Sequence, residues 1–196
     1  RHESISVRHH LQYLQGCRSF EDRIIRRGRN MDIKPTLLAI SNDARAWLKA
    51  WAQDFTEAEA SLPVPGSRAP NPLAWQLGHI ACVEDEVAQL FALEEHPEPL
   101  VPPAVRAACA SGSPAPEEST RYLPLPELWE LLERTHARLL AVLDAAKDAD
   151  LDRPPRVANP YFRSLGQGVY EAALHENYHV GEIAAVRKAL GKTRIA

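Results

Sequence analysis

Apolar residues recur every three to four positions in four stretches of the chain, and this is the spacing of amphipathic α-helices. The stretches are residues 35–59, 72–93, 126–147 and 165–190. Four tryptophans fall at core spacing within them, namely Trp47, Trp51, Trp75 and Trp129. No convincing strand pattern is present, so the sequence predicts an all-α protein built as a four-helix bundle.

The residues at the ends of these stretches support the predicted helices. The first three stretches begin at or near a proline, where the missing N–H costs no helical hydrogen bond: Pro35, Pro72 and Pro126. Ser164 and Gln167 form a capping-box pattern at the start of the fourth stretch. Gly191 follows its end, where a left-handed cap is expected.

The connection between the second and third helices is long and rich in proline. Residues 94–126 hold eight of the sixteen prolines of the chain. Connections of this length within a domain usually have a function or cross the fold. We expect this one to cross the end of the bundle, to join helices that are not antiparallel neighbours, and to contain a short helix near residues 104–110.

The charge is unevenly distributed along the chain. The formal net charge is −3, although residues 1–30 carry seven arginines against three acidic residues. The remainder is acidic, which argues against binding to nucleic-acid phosphates. Because the only methionine is Met31, residues 1–30 are predicted to be an N-terminal extension outside a domain spanning residues 31–196, with an Arg-rich targeting leader as the alternative.

The lengths of the apolar runs and the spacing of the cysteines indicate the cellular environment of the protein. No run approaches the roughly 18 apolar residues that a membrane-spanning helix needs. Cys17, Cys82 and Cys109 are widely spaced and form neither a metal knuckle nor a disulfide framework. We therefore expect a cytoplasmic protein that binds no membrane, with Cys82 as a small buried side chain.

The fourth stretch carries two histidines, His175 and His179, in the sequence His-Glu-Asn-Tyr-His. On a helix this spacing places both rings on one face, one turn apart, where they can reach one metal ion. An ordinary surface or core histidine pair is the commoner interpretation of the spacing alone. His79, on the second stretch, is a third inward-facing candidate. Three neutral imidazoles would leave coordination positions open, as catalytic sites do.

Two motifs carry a resemblance to a known family. Residues 71–81, Asn-Pro-Leu-Ala-Trp-Gln-Leu-Gly-His-Ile-Ala, resemble the second-helix motif of the DinB/YfiT-like superfamily, in which Trp-x-x-x-His supplies a metal ligand. Residues 174–183, Leu-His-Glu-Asn-Tyr-His-Val-Gly-Glu-Ile, resemble its last-helix motif. The resemblance covers about residues 34–192. It implies a four-helix bundle with a long crossover between helices two and three, and a metal site formed by His79, His175 and His179.

Residues beside the three histidines are candidates for supporting roles. Glu171 and Glu182 each lie about one turn from a histidine and could orient its ring, although a solvated or salt-bridged glutamate is equally consistent. Trp75, Gln76 and Tyr178 are candidates for a substrate pocket. The alternatives are core packing for the two aromatic residues and ordinary surface placement for Gln76. The family does not use the position of His136, which we expect to be exposed.

The resemblance also implies a function. We expect a divalent-metal-dependent enzyme, a thiol S-transferase or hydrolase that acts on small molecules, with a low-molecular-weight thiol as a candidate substrate. The cofactor is expected to be one Zn, Ni or Fe ion, since imidazole ligands do not choose among these metals. A homodimer is also implied. The alternative from another class is a non-catalytic binding module whose metal site is structural or vestigial.

Overall fold

The computed structural model describes residues 32–62, 71–92, 98–117, 120–193 and 195. Within these ranges the chain forms helices and no strand, which confirms the all-α fold class. None of the described helices is long and apolar enough to cross a membrane. The predicted extension over residues 1–30 lies outside the described residues, as do most of the residues between the first two predicted helices.

Six α-helices and one 3₁₀ helix occur in the described part of the chain. They are α1 (Ile33–Ala52), α2 (Glu57–Ser61), α3 (Leu73–Phe91), α4 (Pro103–Cys109), α5 (Leu125–Ala145), η1 (the 3₁₀ helix, Asp148–Asp152) and α6 (Leu165–Ala189). The long helices α1, α3, α5 and α6 correspond to the four predicted stretches. The short helix expected near residues 104–110 is present as α4.

The first predicted helix is too long. α1 ends at Ala52, and α2 is a separate helix with Thr56 as its N-cap. The Thr56 hydroxyl accepts a hydrogen bond from the Glu59 N–H, and the Glu59 carboxylate accepts one from the Thr56 N–H, which completes a capping box. Phe55 is buried and continues the apolar spacing across the break, so periodicity alone gave no sign of it.

Two apolar clusters fill the interior, and each long helix contributes to both. One contains Leu77 and the other contains Phe91. Along every long helix, buried polar side chains lie between the residues that enter the two clusters. We call these side chains the polar layer: Arg45 on α1, Glu84 on α3, Thr135 and His136 on α5, and Glu176 on α6.

The order in which each long helix meets the two clusters gives its direction. α1 and α6 run from the Phe91 cluster to the Leu77 cluster, whereas α3 and α5 run the opposite way. Because α3 and α5 are parallel, the chain between them must return along the bundle. α4 lies in this return segment and packs against α3. The predicted long crossover is therefore present, but it runs along the bundle beside α3 rather than across one end.

The prediction that Trp47 lies in the core is wrong, because its side chain is 55% exposed. The buried positions of α1 include Ser41 and Arg45 instead. Apolar spacing alone does not give the correct inner face of α1, because the polar layer places the charged side chain of Arg45 on that face. Trp51, Trp75 and Trp129 are partly buried against the Leu77 cluster.

The ends of α6 match the sequence signals. The Ser164 hydroxyl accepts a hydrogen bond from the Gln167 N–H, as the capping-box pattern predicts. The Gln167 carboxamide accepts from the N–H of Arg163 rather than that of Ser164. Gly191 has a φ of 69° and ends the helix in the left-handed region. These caps fix the extent of the helix that carries two of the candidate ligands.

Candidate metal centre

Three imidazole rings meet between α3 and α6. His79 comes from α3, while His175 and His179 come from successive turns of α6. Nε2 of His175 lies 3.1 Å from Nε2 of His79 and 3.1 Å from Nε2 of His179. Each of the three rings has a nitrogen within 4.8 Å of the other two. The structure thus brings together the three residues that the sequence pattern selected.

In His79 and His179, the hydrogen bond made by Nδ1 determines which ring nitrogen carries the proton. Nδ1 of His79 lies 2.8 Å from the Cys109 carbonyl oxygen, and Nδ1 of His179 lies 2.8 Å from Oε2 of Glu182. A carbonyl accepts, as does an ionised carboxylate, so each Nδ1 carries the N–H. Both Nε2 atoms therefore present a lone pair toward His175.

His175 cannot satisfy both of these lone pairs. A neutral imidazole carries one N–H, so Nε2 of His175 can donate to one of its two neighbours and not to both. Its own Nδ1 is buried and has no hydrogen-bond partner among the described residues. A cation bound by all three Nε2 atoms would accept all three lone pairs, with the single N–H of His175 placed on Nδ1.

The spacing of the nitrogens also fits one metal ion. Two imidazole nitrogens at about 2.0–2.1 Å from zinc are about 3.3–3.4 Å apart in a tetrahedral site and about 2.8–3.0 Å apart at right angles. The two Nε2 distances of 3.1 Å fall between these values. The donor atoms and these two distances are compatible with a site in which three histidines hold one metal ion.

Burial keeps the three rings uncharged. It lowers the pKa of His79, although the hydrogen bond to the Cys109 carbonyl acts in the opposite direction. Burial is also the main reason that the pKa of His175 falls to about 4 and that of His179 to about 3, and neighbouring histidines add to both shifts. Neutral imidazole is the metal-binding form, so the rings are ready to act as ligands at neutral pH.

Two aromatic side chains flank the histidines. Trp75 stacks on His79 with ring centroids 4.6 Å apart, and its Nε1 donates to the Ser113 hydroxyl at 3.3 Å. Tyr178 packs edge-on against His179 with centroids 5.5 Å apart, and it is 64% exposed. Tyr178 therefore lies at the surface beside a candidate ligand and does not belong to the core.

The structure also places Gln76 and Glu171, the remaining candidates for supporting roles beside the histidines. Gln76 is fully buried and its Nε2 donates to the Asn71 carbonyl at 2.7 Å, so surface placement is wrong for it. Glu171 is half-buried on α6. Among the described residues, the group of donors that meets at His79 does not include Glu171. Of the two predicted supporting glutamates, the structure places Glu182 at a histidine ring.

A second group of potential ligands lies in the polar layer. Glu84, His136 and Glu176 have donor atoms within 4.8 Å of one another. The guanidinium of Arg45 already supplies a cation there, with Nη2 2.7 Å from Oε1 of Glu84 and Nε 2.8 Å from Oε1 of Glu176. The charges of this group are paired within the protein, which makes the three histidines the stronger candidate for a metal site.

The expectation that His136 is exposed is wrong, because its side chain is buried in the polar layer. Nδ1 of His136 lies 2.8 Å from Oε1 of Glu84, and the Thr135 hydroxyl donates to the other oxygen at 2.8 Å. The carboxylate that makes burial of this ring tolerable comes from α3, so the sequence around His136 could not reveal it.

A comparison with protein families matches residues 34–183 to the model of the DinB superfamily. The chain belongs to the DinB superfamily. This confirms the resemblance drawn from the motifs around His79 and His175, and it agrees with the all-helical fold. A comparison with curated proteins finds none that matches the chain.

One contact of this DinB-superfamily site was not predicted from the sequence. The acceptor for His79 is the backbone carbonyl of Cys109, 30 residues further along the chain. No side-chain type marks a backbone acceptor, so motif reading cannot find it. The available signal is Gly78, a glycine inside a helix and next to a candidate ligand, which can indicate a close approach by another segment.

Removing the carboxylate at His179 is expected to weaken metal binding. We expect Glu182→Ala to lower the affinity for Zn²⁺ by about 10- to 100-fold, because the acceptor that orients the ring and fixes its tautomer is lost. Competition with a chromophoric chelator measures this affinity. Glu171→Ala, on the same helix, is the matched control and should bind Zn²⁺ like the wild type. Equal affinities for the two variants would contradict the assigned role of Glu182.

Proposed function

We propose that His79, His175 and His179 bind one divalent metal ion and that the protein is a metal-dependent enzyme acting on small molecules. The observation that carries this proposal is the convergence of three Nε2 atoms, two of which are held as lone-pair donors by the hydrogen bonds of their Nδ1 atoms. Three protein ligands leave coordination positions open, and open positions distinguish catalytic from structural sites.

The reaction classes that fit best are thiol S-transfer and hydrolysis. A divalent ion at this site would supply Lewis-acid chemistry, lowering the pKa of a thiol or water bound to it. A low-molecular-weight thiol is the proposed substrate for the transferase reaction. Zn, Ni and Fe all accept imidazole ligands, so the ligand set leaves the choice of metal to experiment.

Residues of the chain itself shape the approach to the three histidines. Tyr178 is exposed beside His179 and offers an aromatic face and a hydroxyl to a bound molecule. Trp75 forms a flat wall against His79. Burial raises the pKa of Glu182, the carboxyl group that orients His179, and the neighbouring Tyr178 opposes this shift.

Metal content is the first test of this proposal. Elemental analysis of protein purified without a histidine tag should find about one divalent ion per chain in the wild type, or after incubation with Zn²⁺, Ni²⁺ or Fe²⁺. His175→Ala should lose it, because two imidazoles hold a divalent ion far less tightly than three. His136→Asn is the control, since it alters the other group of potential ligands and should retain the ion.

Turnover separates the enzyme from a binding module. The wild type loaded with each metal is assayed for transfer of small thiols to electrophiles and for hydrolysis of small esters and amides. Activity that disappears with chelation and in His175→Ala supports the proposal. A wild-type protein that takes up none of the three metals overturns it, and a bound ion without any exchangeable position favours a non-catalytic bundle.

A further inference from the structure

The crossover helix α4 lies along α3 and reaches a candidate ligand with its last residue. Cys109 ends α4, and its carbonyl oxygen accepts the hydrogen bond from Nδ1 of His79 at 2.8 Å in a buried position. The last carbonyls of a helix have no donor within the helix, so this oxygen is available. The ring of His79 is thereby held from the side opposite its Nε2.

The other end of the α4 segment is attached to α3 by Asp85. This carboxylate is fully buried and accepts hydrogen bonds from the N–H groups of Leu100 and Val101, at 3.1 and 3.3 Å. It also accepts from Nη2 of Arg106 at 2.8 Å. Asp85 lies six residues after His79 on α3, about 9 Å along the helix axis. Two points of α3 therefore fix the position of α4.

Gly78 determines how closely α4 can approach α3. A Cβ at this position would lie 2.6 Å from Sγ of Cys109 and 3.1 Å from its Cβ. Real Cβ atoms essentially never come this close to a sulfur, so a side chain at position 78 would push Cys109 away. Because Cys109 is buried, its sulfur has little room to turn aside, and the displacement would also shift the carbonyl that holds His79.

We propose that α4 is a positioning element for His79, with Gly78 setting its distance, and that this contact sets the tautomer of the ring and the affinity of the site for metal. The half of the proposal that concerns affinity rests on the proposed metal-binding function. The half that concerns the ring is a property of the protein without metal. The two halves can therefore be tested separately.

The test compares four variants of the full chain with the wild type. Gly78→Ala should displace Cys109, and adding Cys109→Ala should relieve the displacement by removing the sulfur while keeping the backbone carbonyl. Cys109→Ala alone keeps the glycine and the carbonyl. Gly181→Ala is the matched control, because a Cβ there meets no atom within 4 Å although it lies two residues from His179.

Two readouts are measured for each variant. ¹⁵N NMR of the imidazoles in metal-free protein reports the tautomer of His79, and chelator competition reports Zn²⁺ affinity. In Gly78→Ala we expect loss of the Nδ1–H tautomer and a Zn²⁺ affinity about 10- to 100-fold lower. The double variant should recover both properties to within about threefold of Cys109→Ala, and Gly181→Ala should change neither.

Each outcome decides one half of the proposal. An unchanged tautomer in Gly78→Ala overturns the positioning role of α4, and a changed tautomer with unchanged affinity overturns its effect on metal binding. A wild type with the expected tautomer and no Zn²⁺ uptake removes the metal site and leaves the positioning of the ring intact.

A milder variant covers the case in which Gly78→Ala does not fold. Arg106→Gln weakens the attachment to Asp85 without introducing a clash, and its side chain is 37% exposed. We expect a partial loss of the His79 tautomer and a severalfold loss of affinity. Wild-type values for both readouts in this variant would also overturn the proposal.

Discussion

Replacing Arg45 by methionine is expected to lower the free energy of unfolding by about 3–5 kcal/mol. The guanidinium is buried and lies within 2.8 Å of carboxylate oxygens of both Glu84 and Glu176. Methionine has a similar length and no charge, so it leaves the buried Glu84 carboxylate and the Glu176 carboxyl group without their cation. Breaking a buried ion pair from one side costs much more than the pair contributes, because the remaining charge stays desolvated.

The pKa shifts in the polar layer show how strongly the carboxylates depend on Arg45. Burial raises the pKa of Glu176 to about 8 even though Arg45 acts in the opposite direction. Burial would also raise the pKa of Glu84, but Arg45 and His136 outweigh it and hold the pKa below its usual value. Without Arg45, the pKa of Glu176 rises further, and Glu84 must stay charged at high cost or bind a proton.

Urea unfolding at neutral pH measures this effect. Lys49→Met is the matched control, since Lys49 lies one turn further along α1 and pairs with Glu133 at 3.0 Å where both side chains are about half exposed. Exposed pairs contribute about 0–1 kcal/mol. The triple variant Arg45→Met, Glu84→Gln, Glu176→Gln should recover much of the stability. A loss in Arg45→Met as small as that in Lys49→Met would contradict the charge-pairing argument.

Zinc is expected to stabilise the wild-type fold by about 4 kcal/mol when its free concentration is about 1,000 times the dissociation constant. An ion that binds the three histidines in the native state, and binds the unfolded chain weakly, shifts the unfolding equilibrium by mass action. For a chain of this size the increase in Tm is on the order of 10 °C. Thermal unfolding with Zn²⁺ and with a chelator measures the difference.

Variants on α6 show whether the stabilisation comes from the three rings. His179→Ala removes one candidate ligand and should show a Zn²⁺-dependent change in Tm below about 2 °C. Asn177→Ala is the matched control, because its exposed side chain lies between the two histidines in sequence and bonds to the Ala173 carbonyl. It should respond to Zn²⁺ like the wild type. The same response in His179→Ala would place the bound zinc elsewhere.

The limits of the long helices could be predicted, because they depend on residues that are close together in the sequence. α3, α5 and α6 begin and end within about two residues of their predicted limits, because proline starts, the Ser164 cap and the apolar repeat all act locally. The break after Ala52 was also signalled locally, by Thr56 and Glu59 in a capping-box pattern. The apolar spacing, which continues through the buried Phe55, masks that signal.

The polar layer could not be predicted in the same way. A charged residue on the inner face of a helix looks like an exception to the apolar pattern until its partner is known. Arg45 and its partners Glu84 and Glu176 lie on three different helices. Their burial depends on the packing of those helices, which no local window of sequence contains. The exposure of Trp47 follows from the same cause.

For the candidate metal centre, the sequence predicted which side chains come together, but it did not predict which groups hold those side chains in place. The spacing of His175 and His179 and the motif around His79 select three rings that the structure places together. The acceptor for His79 is a backbone atom of the crossover, and its position depends on the packing of α4 against Gly78. Such contacts depend on tertiary distances that no residue type specifies.

The long sequence separation within the histidine cluster also bears on the synthesis of the protein. His175 and His179 come together as soon as α6 is helical, but His79 and His175 are 96 residues apart in the sequence. At about 5–20 residues per second, a ribosome adds His175 about 5–20 s after His79. During that interval α3 has neither its partner rings nor Glu176. The three nitrogens therefore meet only after the ribosome has released α6, so the cluster cannot guide the folding of the earlier helices.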